Sequence, residues 1–251
     1  MGARQDGEMP ASPAVTPPVS RLSSLGFSPI GTEALDDPST DPALVRRMLA
    51  DIATCNRWLG GTLAMRQGLS RLITRADRGR TLTLLDIGTG AGDLPRDAQA
   101  WAARRGVTLV PLGLERIPAA AAVAQHAGVT TMLACASALP VRAASVDIVL
   151  LSQVIHHLDA ASVLRLLAEC RTIARRGVIV ADLHRTWFAA PGFRVAARTL
   201  GLHAVTVDDG VTSIKRGYTP GELRSLCVRS GATNVVVKRS VGSRVVAVIG
   251  R

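Results

Sequence analysis

The chain has 251 residues, 47% of them hydrophobic, which is enough for one sizeable core and hardly enough for two. Its 23 glycines and 13 prolines fall well short of a low-complexity composition, so a folded domain with appendages is expected. A net charge of +11 invites a nucleic-acid reading, but the basic residues are nearly all arginine, are spread along the chain and come with only 3% aromatics, which argues against a phosphate-binding stripe and a base-stacking platform.

Residues 1–38 are rich in Pro, Ser and Gly without an apolar period and read as a flexible leader; residues 1–10 carry charges and lack the apolar core of a signal peptide. "TDPALVRRMLADIATCN" then starts a helix, with Asp41 as N-cap, Pro42 in the first helical position and Leu44, Val45, Met48, Leu49 and Ile52 on one face. "NRWLGG" reads as its end. A second helix is expected over 62–75, carrying Leu63, Met65, Leu69, Leu72 and Ile73. Residues 39–78 thus form a helical unit that either covers the core or lids a site.

From Thr81 the pattern changes to short apolar runs alternating with helical stretches. Strands are expected near 82–87, 107–114, 130–135, 146–152 and 177–183, and helices near 93–105, 117–127 and 160–174. Runs such as "VDIVLL" and "GVIVADL" lack polar alternation, as strands buried on both faces do, and the βα rhythm implies a doubly wound, Rossmann-like α/β domain over 79–251. The charge-free stretch from Ile117 to Val141 is interrupted by "QHAGVTT" and reads as helix then strand, not as a transmembrane span. Residues 184–218 break the rhythm with an irregular excursion holding one amphipathic piece. "TPGELRSLCVRSGA" follows as a helix capped by Thr219 and Glu222, and "TNVVVKRS" and "SRVVAVIG" close the chain as a hairpin turning at Val241-Gly242. The cysteines, Cys55, Cys135, Cys170 and Cys227, lie far apart with no metal-ligand spacing, which suits buried thiols in a reducing cytosol; no metal site is expected from them.

In "LLDIGTGAGDLP" the glycines Gly88, Gly90 and Gly92 follow the first strand with G-x-G-x-G spacing. A dinucleotide fingerprint places its third glycine one residue later, and here that residue is Asp93. A carboxylate at a helix start repels a pyrophosphate and suits a ligand with an ammonium or sulfonium, which points away from NAD and toward S-adenosylmethionine (SAM). Glu115, closing the second strand in "GLER", sits where an acid accepts from ribose hydroxyls.

With these motifs, "SALPVRAASVDIVLLSQVIHHL" and the closing hairpin, residues 81–251 resemble the class I SAM-dependent methyltransferases, particularly small-molecule enzymes of the ubiquinone/menaquinone-methylase type. The resemblance implies a seven-stranded sheet with an antiparallel last strand. It also implies cofactor contacts from Gly88, Gly90 and Gly92, with Asp86 or Asp93 at the amino-acid end of SAM, Glu115 on the ribose, Arg116 or Ile117 beside the adenine, and Gln153 lining the pocket. Cys135 stands where many relatives carry the Asp that meets the adenine amino group, leaving the backbone of Ala136 and Ser137 to read that edge.

Methyl transfer from a sulfonium is an in-line displacement, and a base is needed only for an acceptor that carries a proton. Candidates at the strand ends are His156 and His157 after the fourth strand, and Asp182 and His184 after the fifth, the latter two expected to pair by strand alternation. His126 and His203 read as surface residues. The fourth strand ends "LSQV" and lacks the (D/N)PP(Y/F) ending of base N-methylases, which places O- or C-methylation of a small molecule ahead of RNA methylation. The segment "WFAAPGFRVAARTLGL" could offer an apolar face with basic flanks to a lipophilic acceptor or a membrane surface. A non-catalytic binding module that kept the fold is the alternative from a different class.

Overall fold

The structure, a computed structural model, describes residues 31, 33–37 and 39–251. The leader expected over 1–38 therefore lies mostly outside the described residues. Its described end is packed: a 3-10 turn, Ala34–Asp36, holds Glu33 buried against the domain.

Helix α1, Pro42–Trp58, begins as its capping residues dictate, with the Asp41 carboxylate accepting from the Ala43 and Leu44 amides. It ends at Trp58, inside the expected "NRWLGG", and Asn56 in its last turn is buried and donates to Asp93. Gly60, in a left-handed conformation, then turns the chain into α2, Gly61–Leu72.

The sheet comprises β1 Thr81–Ile87, β2 Thr108–Glu115, β3 Thr130–Leu133, β4 Val146–Ser152, β5 Ala174–Leu183, β6 Asn234–Ser240 and β7 Arg244–Gly250. Helices α3 Asp93–Ala103, α4 Pro118–His126 and α5 Ala160–Ile173 lie between the first five strands. Helices α6 Ala189–Thr199, α7 Ala204–Arg216 and α8 Pro220–Arg229 lie between β5 and β6. Strand order is β3-β2-β1-β4-β5-β7-β6, with β7 antiparallel to both neighbours, as the closing hairpin implied. Strand β5 starts three residues before the expected Gly177 because α5 passes directly into it.

Period-two alternation splits the core into two layers. Val178, Val180, Val245 and Ala247 face α5 and α8, while Ile179, Ala181, Val246 and Val248 face α2 and α3. Met65 and Leu69 of α2 are fully buried on the second face, each contributing about 1.5–3 kcal/mol of apolar burial, so α2 is core cover.

The 184–218 excursion is two helices, not an irregular segment with one amphipathic piece. Pro191 and Gly192 fall in the first turn of α6, where a helix tolerates a missing N–H. Gly210 within α7 allows close packing: a Cβ there would lie 2.4 Å from the Phe193 ring. No helix among the described residues is long and apolar enough to cross a membrane.

Candidate active site

The strand order reverses between β1 and β4, and open parallel sheets bind ligands outside the carboxyl ends of such a pair. The turn after β1 lies there. Gly88, Gly90 and Gly92 have φ of 73°, 52° and 72°, a region in which side chains are strained, and this is why the turn needs glycine. Gly92 precedes α3, so Asp93 occupies the first helical position. Glu115 braces the turn from β2: one carboxylate oxygen accepts the Gly90 amide at 3.0 Å and the other the Arg116 and Ile117 amides at 2.7 and 3.1 Å.

Three acids thus converge on the turn. Asp86 is buried; the Thr89 hydroxyl donates to one oxygen at 3.1 Å, while the other is buried without a hydrogen-bond partner. Burial pushes its carboxyl up to about 8, against the Thr89 bond and with added repulsion from Asp93 and Glu115. Burial likewise raises Asp93, which accepts from Asn56 Nδ2 at 3.0 Å. The Asn56 carbonyl oxygen in turn accepts from Gln153 Nε2 at 2.9 Å, so α1, the glycine turn and the end of β4 are one hydrogen-bonded unit. Gln153 is held at φ 57°, a left-handed conformation unusual for its type and one that marks functional turns.

At the opposite end, Ala136 and Ser137 line the cavity with Cys135, whose sulfur accepts from the Ser137 hydroxyl at 3.1 Å. The Arg116 guanidinium is drawn to the N-terminal turn, donating to the Leu35 and Asp36 carbonyls at 3.0 Å each. Ile117 is buried at the cavity wall.

The histidines form the third part of the site. His156 is 4% exposed and its Nδ1–H donates to Asp182 Oδ1 at 2.7 Å. Burial would raise the Asp182 carboxyl, but His156 overrides it and holds the acid below its ordinary range. The expected Asp182–His184 pair is therefore replaced by Asp182–His156. Strand alternation ends with β5 at Leu183. His184 bridges Tyr218, its amide donates to Ser243, and its imidazole is held below the usual histidine range by burial and Arg239. His157 Nδ1 bonds Asp36 Oδ1 at 2.9 Å. The Tyr218 hydroxyl donates to the Ile155 carbonyl at 2.8 Å and fixes the turn that carries both imidazoles. His126 and His203 are exposed, as expected.

The glycine turn, its acids, Gln153, the Cys135–Ser137 end, His156 and His157 line one cavity of about 780 Å³, whereas Asp182, His184 and Tyr218 lie outside its lining. Met48, Leu49 and Ile52 of α1 roof it, and Phe193 and Ile214 of α6 and α7 close the side near the histidines. Asn56, Glu33, Asp36 and Arg216 also belong here and were not anticipated. A lone asparagine in an otherwise apolar helix face was the one available signal for Asn56. The acids of "TEALDD" gave none, because their partners lie more than a hundred residues away.

Residues 85–181 match the family described as Methyltransferase domain. No curated protein matches the chain. Among solved structures, human N-acetylserotonin methyltransferase in complex with SAM superposes with a TM-score of 0.60 at 11% identity, over 92% of this chain and 66% of that one. A SAM-dependent methyltransferase from Aquifex aeolicus gives 0.57 at 14% identity over 83% and 97%. Another from Thermotoga maritima gives 0.53 at 18% identity over 82% and 98%. With its methyltransferase-domain segment set in a 3-2-1-4-5-7-6 sheet, the chain shares the fold of these SAM-dependent methyltransferases.

Proposed function

We propose that the protein transfers the methyl group of SAM to oxygen or carbon of a small molecule, such as a phenolic, quinone or polyketide-like metabolite, as ubiquinone/menaquinone-type methylases do. The observation that carries this is the buried Asp86 carboxylate with one unpartnered oxygen, beside Asp93 at the start of α3. Among the described residues no cation acts on Asp86 or Asp93, and the ammonium and sulfonium of SAM supply two. A pyrophosphate would meet repulsion at the same place. Gly88, Gly90, Gly92, Asp86, Asp93 and Gln153 are proposed to hold the methionine end, Glu115 the ribose, and Ala136 and Ser137 the adenine edge.

The acceptor is proposed to lie between the apolar walls of α1, α6 and α7, with its reactive atom toward His156. That imidazole, oriented by Asp182, activates the acceptor, and the 184–218 segment serves as substrate cover. Ahead of α6, Phe188, 52% exposed, lines the cavity and suits a lipophilic acceptor, with the 90% exposed Trp187 packed edge-on against it.

Isothermal titration calorimetry with SAM, S-adenosylhomocysteine and NADH tests the cofactor. SAM and S-adenosylhomocysteine are expected to bind at one per chain without displacement by NADH; absence of binding, or displacement by NADH, overturns the reading. Binding without turnover on any oxygen or carbon acceptor would support the non-catalytic module instead.

A further inference from the structure

Glu33, His156 and His157 come from two distant stretches of sequence and meet at the acceptor end of the cavity, each offering one ligand atom within 4.8 Å of the others. His156 Nε2 lies 4.0 Å from Glu33 Oε1, and His157 Nε2 lies 3.8 Å from Glu33 Oε2. Hydrogen bonds span about 2.7–3.2 Å, so the three groups are gathered but not bonded to one another. The buried Nε2 of His156 has no hydrogen-bond partner among the described residues.

Both rings are gripped at their other nitrogen, His156 by Asp182 and His157 by Asp36. Carboxylate–imidazole pairs of this kind orient metal-ligating histidines and raise their basicity. With Nδ1–H donated, each Nε2 presents a lone pair to Glu33.

The surrounding charge is also unbalanced. Among the described residues, Glu33, Asp36, Asp182 and Asp209, whose carboxylate accepts the Ala34 amide, are balanced by fewer guanidiniums: Arg216, which holds Glu33 Oε1 at 3.0 Å, and the buried Arg244, whose charge acts on Asp182. The Ser213 hydroxyl also bonds Glu33. Three atoms no more than 4.8 Å apart share a point at most about 2.8 Å from each, and zinc–nitrogen bonds run about 2.0–2.1 Å, so contraction by no more than about 0.8 Å completes a site.

We infer that Glu33, His156 and His157 bind one divalent transition-metal ion at the acceptor end of the cavity. Two imidazoles and one carboxylate suit zinc, iron, manganese or nickel over calcium or magnesium, and they leave coordination positions open. Its role rests on the methyltransferase reading: the ion takes the oxygen of a hydroxyl-bearing acceptor and lowers the pKa of that hydroxyl, so His156 activates as a ligand. The uptake of metal does not rest on that reading.

The test uses full-length protein without a histidine tag, freed of metal by chelator and titrated with Co²⁺ alone. One Co²⁺ per chain is expected, with visible d–d absorption and no thiolate charge-transfer band. His157→Gln and Glu33→Gln should each weaken uptake at least tenfold, and Cys135→Ser, which removes the exposed thiol, should leave it unchanged. Asp182→Asn, which leaves every ligand in place, should weaken uptake roughly 10–100-fold. Circular dichroism and S-adenosylhomocysteine affinity, measured on the same samples, show whether each variant is folded. Lack of stoichiometric uptake by the parent protein, or equal uptake by folded Glu33→Gln and His157→Gln, overturns the site. Uptake without cofactor binding would leave the site standing and overturn the methyltransferase reading alone.

Discussion

Replacing Asp86 by Asn separates what the acid costs the free protein from what it gives the cofactor. In the unfolded chain this carboxyl ionises near 3.8, whereas in the fold burial holds it protonated up to about 8. Between those pH values the native state keeps a proton that the unfolded state has lost, so stability falls as pH rises from about 4 and levels off above about 8. The full interval corresponds to roughly 6 kcal/mol, an upper figure because buried sites relax. The amide can still accept the Thr89 hydroxyl, but it does not titrate. Urea denaturation at pH 5, 7 and 8.5 should show Asp86→Asn losing this slope and exceeding the parent at pH 8.5 by about 2–6 kcal/mol. SAM affinity should fall in the same variant, and SAM binding to the parent near pH 7 should release a proton, read by calorimetry in buffers of different ionisation enthalpy. Superimposable pH–stability curves for the two proteins, or equal SAM affinity, would refute the reasoning.

His156→Gln should lower kcat on an accepted substrate by roughly 10²–10⁴ while leaving calorimetric SAM affinity nearly unchanged, since the ring faces the acceptor end; a matching loss of SAM affinity would move it to the cofactor end. Gly242→Ala would place a Cβ 2.0 Å from the Leu59 carbonyl at a φ of 74°. The clash should push the β6–β7 turn off the end of α1, costing more than about 2 kcal/mol and several degrees in Tm by differential scanning calorimetry, with SAM affinity lowered because Asn56 sits on that helix end.

Much of the scaffold was legible because its signals are local. Uninterrupted apolar runs marked β1, β4 and β5 as strands covered on both faces, and Asp41-Pro42 and Thr219-Pro220 with Glu222 marked two helix starts through caps that act within three residues. The glycine turn was equally readable, since G-x-G-x-G with a following acid has few other uses. The second helix of 184–218 was not legible, because the place of Gly210 inside it depends on a distant neighbour, the Phe193 ring packed against it.

The pairing of the acid on β5 failed for a related reason. Alternation predicts which side of a strand two residues share, but not which residue arrives from a different strand, and His156 reached Asp182 from the turn after β4.

By itself, then, the sequence determined the α/β class, the antiparallel ending, and the glycine turn with the acids beside it, because propensity, capping and strand burial act over a few residues. Only the tertiary structure decided that Asn56 ties α1 to Asp93 and Gln153, that Asp182 serves His156, and that Glu33 and Asp36 close on the histidines. Those contacts span from 26 to more than 120 residues in sequence, and their partners are specified by how the elements pack, not by any local pattern.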